Sequence, residues 1–340
     1  MKTITIIIPT YNMEEYLRCC LDSLIYSGVD MGLVEVLIIN DGSKDSSSEI
    51  AHEYERKFPK TFRVVDKENG NYGSCINRGL QEASGKYVKV LDADDYFNNR
   101  SFSDFVKFLR NTDADLIISP YIKVDDEGKV LNKIEFDLPE KILMSSDEQL
   151  RRVFYSKYFQ MHAVTYKTQL FKSLNYHQSE GISYTDQEWM FLPMTKVQTI
   201  AYFPQVLYCY LLGREGQTMD MKSQLRQIGH QMQGTLKMLT DYNAIGSGVN
   251  EMWKNYMVYR LNRRVSEIYK ISLLYNLPQE DLIRFDSKIK DLNNKFYHQL
   301  DILTFHKFFP HHFIRYWHQH GKTSAIFTIY RFLKKYWKNY

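Results

Sequence analysis

Three carboxylates, Asp92, Asp94 and Asp95, fall within four positions directly after the apolar run Tyr87 to Leu91. Carboxylates this close repel one another, and a cation among them removes the repulsion. Hard oxygen donors of this kind suit Mg²⁺ or Mn²⁺ carrying a diphosphate. The same residues also fit a polar turn, because Asp is common in turns and at helix starts, and Ser101 with Asp104 offers such a start just downstream. Asp41, in Asn40-Asp41-Gly42-Ser43-Lys44-Asp45, and Asp186, in Asp186-Gln187-Glu188-Trp189, are further acidic positions at the ends of apolar runs or the openings of helices.

The elements that must position these groups alternate between strand and helix. Thr3 to Ile8 is a β-branched run expected to stop at Pro9, where an imino acid ends the pairing. Glu14 to Tyr26 has helical spacing, Val34 to Ile39 is a second buried strand, and the next helix opens with a capping box from Ser46 to Glu49. Phe62 to Val65 and the run ending at Asp92 are the third and fourth strands. This alternation predicts an α/β fold with a Rossmann-like sheet flanked by helices, in which ligands bind outside the carboxyl ends of the strands. Neither GxGxxG nor GxxxxGK[ST] occurs, which argues against a dinucleotide fold and a P-loop.

Further strands are expected at Asp115 to Ser119, Tyr121 to Val124, Val130 to Phe136, His162 to Tyr166, Thr199 to Phe203 and Val206 to Leu212. A helix is expected around Asp147 to Tyr155. From about Met221 the pattern turns helical, which predicts a first domain over 1–220 and a helical C-terminal region over 221–340, broken at Gly246-Ser247-Gly248.

A 340-residue chain can bury a substantial core, and a net charge of +4 gives no global field favouring nucleic acid as a partner. The four cysteines, Cys19, Cys20, Cys75 and Cys209, have no metal-site spacing and read as reduced thiols of a cytoplasmic protein. No apolar run approaches the length of a membrane span or a signal peptide.

Taken together, Pro9-Thr10-Tyr11-Asn12, Asn40 to Asp45, Asn77-Arg78-Gly79, Leu91 to Asp95 and Thr185-Asp186 resemble family 2 glycosyltransferases of the GT-A fold. The resemblance covers roughly the first two thirds of the chain. It implies an inverting transfer of a sugar from a nucleotide diphosphate, usually UDP-linked, to a hydroxyl of a glycan or lipid-linked acceptor. By that resemblance Pro9, Thr10 and Tyr11 line the nucleotide pocket, and Asp41 accepts a hydrogen bond from the uracil imide. Asn69 and Gly70 approach the donor, as does Arg78, while Asp92, Ala93 and Asp94 form the DxD segment. Asp94 then ligates the metal, Mn²⁺ or Mg²⁺, Asp92 contacts the ribose or the metal, and Asp186 is the base that deprotonates the acceptor.

Each assignment has a plainer counterpart. Asp41 and Asn69 to Gly73 also fit ordinary turns, and Glu188 competes with Asp186 for the role of base, since Thr185 replaces the Glu of the family's Glu-Asp pair. Arg214 either clamps the diphosphate or is a solvated loop arginine. His162 and His177 fit the acceptor side or a structural role. The Gln-x-x-Arg-Trp motif of processive members, such as cellulose or hyaluronan synthases, is absent. The chain is therefore similar to single-addition transferases of bacterial capsule, exopolysaccharide or teichoic acid assembly.

After Asp301 there is no acidic residue. Ile326, Ile329, Tyr330, Leu333 and Trp337 share one helical face, and Arg331, Lys334, Lys335 and Lys338 another. A basic aromatic helix of this kind suits an anionic membrane surface, placing the protein peripherally on the inner face of the cell membrane; packing on the preceding helices is the alternative. Aromatic helices that could pair leave a homo-oligomer open. Two other functions compete with the transferase: a sugar nucleotidyltransferase, which lacks its glycine-rich phosphate loop here, and a non-catalytic glycan- or partner-binding module on the same fold.

Overall fold

The computed structural model describes residues 1–25, 28–214, 221–275, 277–304 and 312–320. The chain divides into two compact units, residues 1–215 and 216–340, so the division falls slightly before the expected one near 220. Gly216-Gln217-Thr218, His306, His311 and the basic tail beyond residue 322 lie outside the described residues.

The first unit is built on two sheets. β1 (Ile4–Thr10), β2 (Val34–Asn40) and β4 (Tyr87–Val90) are short, mostly buried runs rich in β-branched residues, and β3 (Phe62–Asp66), at the sheet edge, buries only Phe62 and Val65. They alternate with α1 (Leu17–Asp22), α2 (Ser47–Lys57) and α3 (Asn71–Glu82), and α4 (Asn99–Arg110) follows β5 (Tyr96–Phe97). Next come β6 (Leu116–Ile118), β7 (Tyr121–Val124), β8 (Val130–Ile134), β9 (Leu143–Met144), β10 (Val164–Lys167), β11 (Thr199–Tyr202) and β12 (Tyr208–Leu211). The large sheet has the order β3-β2-β1-β4-β10-β6-β11-β9, and the small one β5-β12-β7-β8. β10 runs antiparallel to both β4 and β6, which makes the large sheet mixed.

Several local expectations change. β1 continues through Pro9, which stands opposite Ile39 of β2. The reason is directional: Ile7 and Pro9 face β4, whose register ends at Ile7, so the missing proline N–H faces a side with no strand to receive it. The capping box at α2 does not form. The Ser46 side chain makes no cap, and the Ser46 N–H donates instead to the Glu14 carboxylate at 2.9 Å. α4 is capped by Asn98, which accepts from the Ser101 N–H, so Ser101 lies inside the helix. The helix expected over Glu14 to Tyr26 is present as Leu17–Asp22, and the one near Asp147 as a 3₁₀ turn, Glu148–Leu150, followed by Arg151–Phe154. Val164 begins the strand expected from His162, because Met161–Ala163 forms a 3₁₀ turn.

α3 lies tight against its neighbours because two glycines allow it. A Cβ on Gly79 would meet Ile7 at 2.5 Å, and one on Gly73 would meet the Ser179 carbonyl oxygen at 1.9 Å. The second contact fixes the segment preceding Asp186 against the start of α3.

The second unit is helical. Ile228–Ala244, Glu251–Leu274 and Gln279–Leu292 are its long helices, and Trp253, Met257, Leu261, Val265 and Ile268 recur on one buried face. No described helix is long and apolar enough to cross a membrane.

Candidate active site

The carboxyl ends of β1, β2, β3 and β4 lie side by side in the sheet order, which gathers the loops that follow them. Thr10 is buried and its carbonyl accepts from the Asp41 N–H at 2.8 Å, joining the exits of β1 and β2. Pro9 is half-buried beside it and Tyr11 is 46% exposed.

Asp41 is buried among donors. Its Oδ1 accepts from Lys67 Nζ at 2.6 Å and from the Gly70 N–H at 2.9 Å, while Asn69 Nδ2 donates to the Asp41 carbonyl. The structure thus brings Asp41, Asn69 and Gly70 together, and the bonds from Lys67, Gly70 and Ser74 to the Asp41 side chain all fall on Oδ1. Lys67 was missed by sequence reasoning, although it directly follows a strand end, the position where functional loops were expected.

Arg78 is not part of this cluster. Its Nε donates to Glu82 at 2.9 Å, one turn along the exposed face of α3. The adjacent Asn77 is the buried member of that motif, and it grips both the N–H and the carbonyl of Gln178.

The acidic loop splits by role. Asp92 is half-buried and accepts from the Tyr72 hydroxyl at 2.9 Å. Burial, and then the neighbouring Asp94, push its carboxyl up to about 7. Ala93 is buried. Asp94 accepts from Arg214 Nε at 2.5 Å, and the guanidinium lies 5.7 Å from the Tyr16 ring centre. Asp95 is fully enclosed: it accepts from the Tyr208 hydroxyl at 2.6 Å and the Leu211 N–H at 2.8 Å. Its carboxyl is held well above the usual range, chiefly by burial and then by Asp94. Tyr72 and Tyr208 are the other contributors that sequence reasoning missed; no spacing signal links them to the acidic loop.

Asp186 opens the short helix Asp186–Trp189, two residues after Tyr184, whose φ of +64° is unusual for a bulky residue. It is close enough to act electrostatically on both Tyr72 and Asp92. Glu188, the competing carboxylate, is 3% exposed and accepts from the Ser179 N–H at 2.9 Å, so it holds the segment before Asp186. His177 is exposed beside Glu180. His162 is buried against Tyr121, Tyr208 and Tyr210.

A mixed sheet whose parallel strands β3, β2, β1 and β4 end together, with Asp41, Asp92 and Asp94 in the loops that follow, is the architecture of a GT-A glycosyltransferase. Residues 5–172 match the model of Glycosyl transferase family 2, and the chain belongs to that family. An uncharacterized glycosyltransferase of Mycoplasma pneumoniae is 29% identical over 248 residues, 72% of this chain and 78% of that protein. The poly(ribitol-phosphate) β-N-acetylglucosaminyltransferase TarS of Staphylococcus aureus is 26% identical over 221 residues, 65% of this chain and 37% of TarS. Among solved structures, residues 1–349 of TarS with UDP-GlcNAc superpose with a TM-score of 0.63 at 22% identity, covering 86% of this chain and 80% of that one. A mannosyltransferase from Pyrobaculum calidifontis, solved with GDP-Man and Mn²⁺, reaches 0.52 at 15% identity, covering 99% and 88%. These likenesses establish the GT-A fold.

Proposed function

We propose that this glycosyltransferase moves a sugar, with inversion, from a UDP-linked donor to a hydroxyl of a glycan or lipid-linked acceptor in bacterial surface-polysaccharide or teichoic acid synthesis. The observation that carries the reading is the grouping of Asp92, Asp94, Arg214 and Asp186, with Asp41 in a loop at the same end of the sheet. The relatives, which include TarS and the minor teichoic acid biosynthesis protein GgaB of Bacillus subtilis, support the pathway.

In this reading Asp41 Oδ2 accepts the imide N–H of uracil, with Oδ1 fixed by Lys67 and Gly70. The donor set fits a hard divalent ion, since Asp92 and Asp94 both offer carboxylate oxygens. Such an ion supplies positive charge to the diphosphate as the glycosidic bond breaks. Arg214 leaves Asp94 for the diphosphate and offsets the same growing charge. Asp186 takes the proton of the acceptor hydroxyl, which attacks the anomeric carbon from the face opposite the departing UDP. The burial of Glu188 and its bond to Ser179 favour a structural role for it over that of base.

The basic tail is read as a contact with anionic lipid; deleting residues 323–340 is then expected to abolish binding to anionic vesicles while leaving UDP affinity intact. Calorimetric titration of UDP with and without Mn²⁺, on the native chain and on Asp94→Ala, tests the donor site. Metal-dependent binding that is lost in the variant is expected. Binding of GDP or CDP in place of UDP would correct the donor, and absence of any nucleotide binding would sink the transferase mechanism.

A further inference from the structure

Asp95 and His162 are unused by the mechanism above, yet they face one another inside the first unit. Asp95 is 1% exposed and His162 is 7% exposed. The His162 ring sits with its centre 4.3 Å from that of Tyr210, 4.7 Å from Tyr208 and 5.3 Å from Tyr121. In this aromatic enclosure neither Nδ1 nor Nε2 has a hydrogen-bond partner. A buried imidazole with both nitrogens unpaired is uncommon, because its desolvation goes uncompensated.

One ligand atom each from Asp92, Asp95 and His162 lies within 4.8 Å of the others, in the one such group among the described residues. We propose that these three form an inner divalent-cation site, which shares Asp92 with the Asp92 and Asp94 pair but takes Asp95 and His162 as its other donors, and which binds a first-row transition ion before any nucleotide arrives. The proposal rests on reading the acidic loop as a cation-binding element.

Two carboxylates and one imidazole suit Mn²⁺, Co²⁺ or Zn²⁺, whereas Mg²⁺ and Ca²⁺ prefer oxygen alone. The existing hydrogen bonds leave room for it. Each carboxylate offers about four lone-pair positions, while Asp95 uses one on each oxygen and Asp92 accepts from Tyr72. Asp92, half-buried, gives the ion its way in. The ligands come from the loop after β4 and the turn before β10, so a bound ion joins two segments that flank the β4 and β10 pairing, and Tyr208 of β12 already bonds Asp95 from the small sheet.

The test is an EPR titration of the full chain with Mn²⁺ alone, followed by electron spin-echo envelope modulation. The expected result is bound Mn²⁺ with ¹⁴N modulation from a coordinated imidazole, changing to the ¹⁵N pattern when histidine is ¹⁵N-labelled. His162→Phe, checked for folding by circular dichroism, is expected to lose the nitrogen modulation. Asp95→Asn is expected to weaken Mn²⁺ by at least roughly tenfold. Should His162→Phe not fold, the native modulation and Asp95→Asn decide. No Mn²⁺ binding without nucleotide, bound Mn²⁺ without nitrogen modulation, or modulation that survives in folded His162→Phe each overturns the inference. Failure of the donor reading is a separate observation, since it appears as loss of UDP binding however Mn²⁺ is held.

Discussion

Arg214 and Asp94 form an ion pair, Nε to Oδ2 at 2.5 Å, between the loop after β12 and the acidic loop after β4. Both side chains are largely shielded, at 19% and 11% exposure, so the pair acts in a medium less screening than water. Asp94 therefore already has a cationic partner, and in the proposed reading a metal and a diphosphate compete for the two halves of that pair.

Arg214→Ala separates these competitions. Removing the guanidinium frees Asp94 for metal but deprives the diphosphate of its clamp. Mn²⁺ affinity at Asp94 is expected to rise while UDP affinity falls by roughly 10- to 100-fold, the worth of a charge-assisted hydrogen bond. Paired calorimetric titrations of Mn²⁺ and UDP check it; parallel changes of the two would disprove the exchange.

Asp41→Asn tests the base-reading role. An amide can accept from uracil less strongly and can donate to the cytosine ring nitrogen instead. UDP is expected to weaken by roughly tenfold, with the preference for UDP over CDP narrowing. Competition binding with the two nucleotides measures it.

Asp186→Asn is expected to lower the transfer rate by roughly 10²- to 10⁴-fold, the range for a general base, with UDP affinity unchanged. Glu188→Gln is expected to act through folding instead, lowering thermal stability by weakening the hold on Ser179. Transfer assays beside melting curves distinguish them. A Glu188→Gln protein that melts normally but has lost transfer would reverse the assignment.

His318 provides a pH prediction in the second unit. Burial alone would lower its pKa, but the hydrogen bonds and charges of Asp286 and Asp301, at 3.0 and 2.7 Å, raise it above the ordinary value of 6.5. A histidine raised on folding contributes stability that is complete below its unfolded pKa of about 6.5 and is lost as pH rises through the folded value. The melting-temperature gap between the native chain and His318→Gln should therefore be widest near pH 6 and close as the solution becomes alkaline. A gap that widens with pH would refute it.

Gly73→Ala probes the coupling of donor and base segments. The new Cβ would meet the Ser179 carbonyl oxygen at 1.9 Å, so the backbone before Asp186 must move. Destabilisation of roughly 1–3 kcal/mol is expected, together with reduced transfer, as read by denaturation and assay.

The strand and helix order, and the strand ends at which Asp41 and Asp92 lie, were legible in the sequence, because β-branched runs, helical spacing and turn residues act over a few positions. It also carried the family resemblance, since those motifs are local. What tertiary structure decided was the partnership of each group. Pro9 could stay in β1 only because β4 ends first, and Arg78 turned to Glu82 while its neighbour Asn77 took the Gln178 backbone. Asp94 met Arg214 across 120 positions, Asp95 met Tyr208 across 113, and His162 came to stand beside Asp92 and Asp95. Such pairings are set by sheet order and crossover, which bring distant strand ends together, and no local periodicity encodes them.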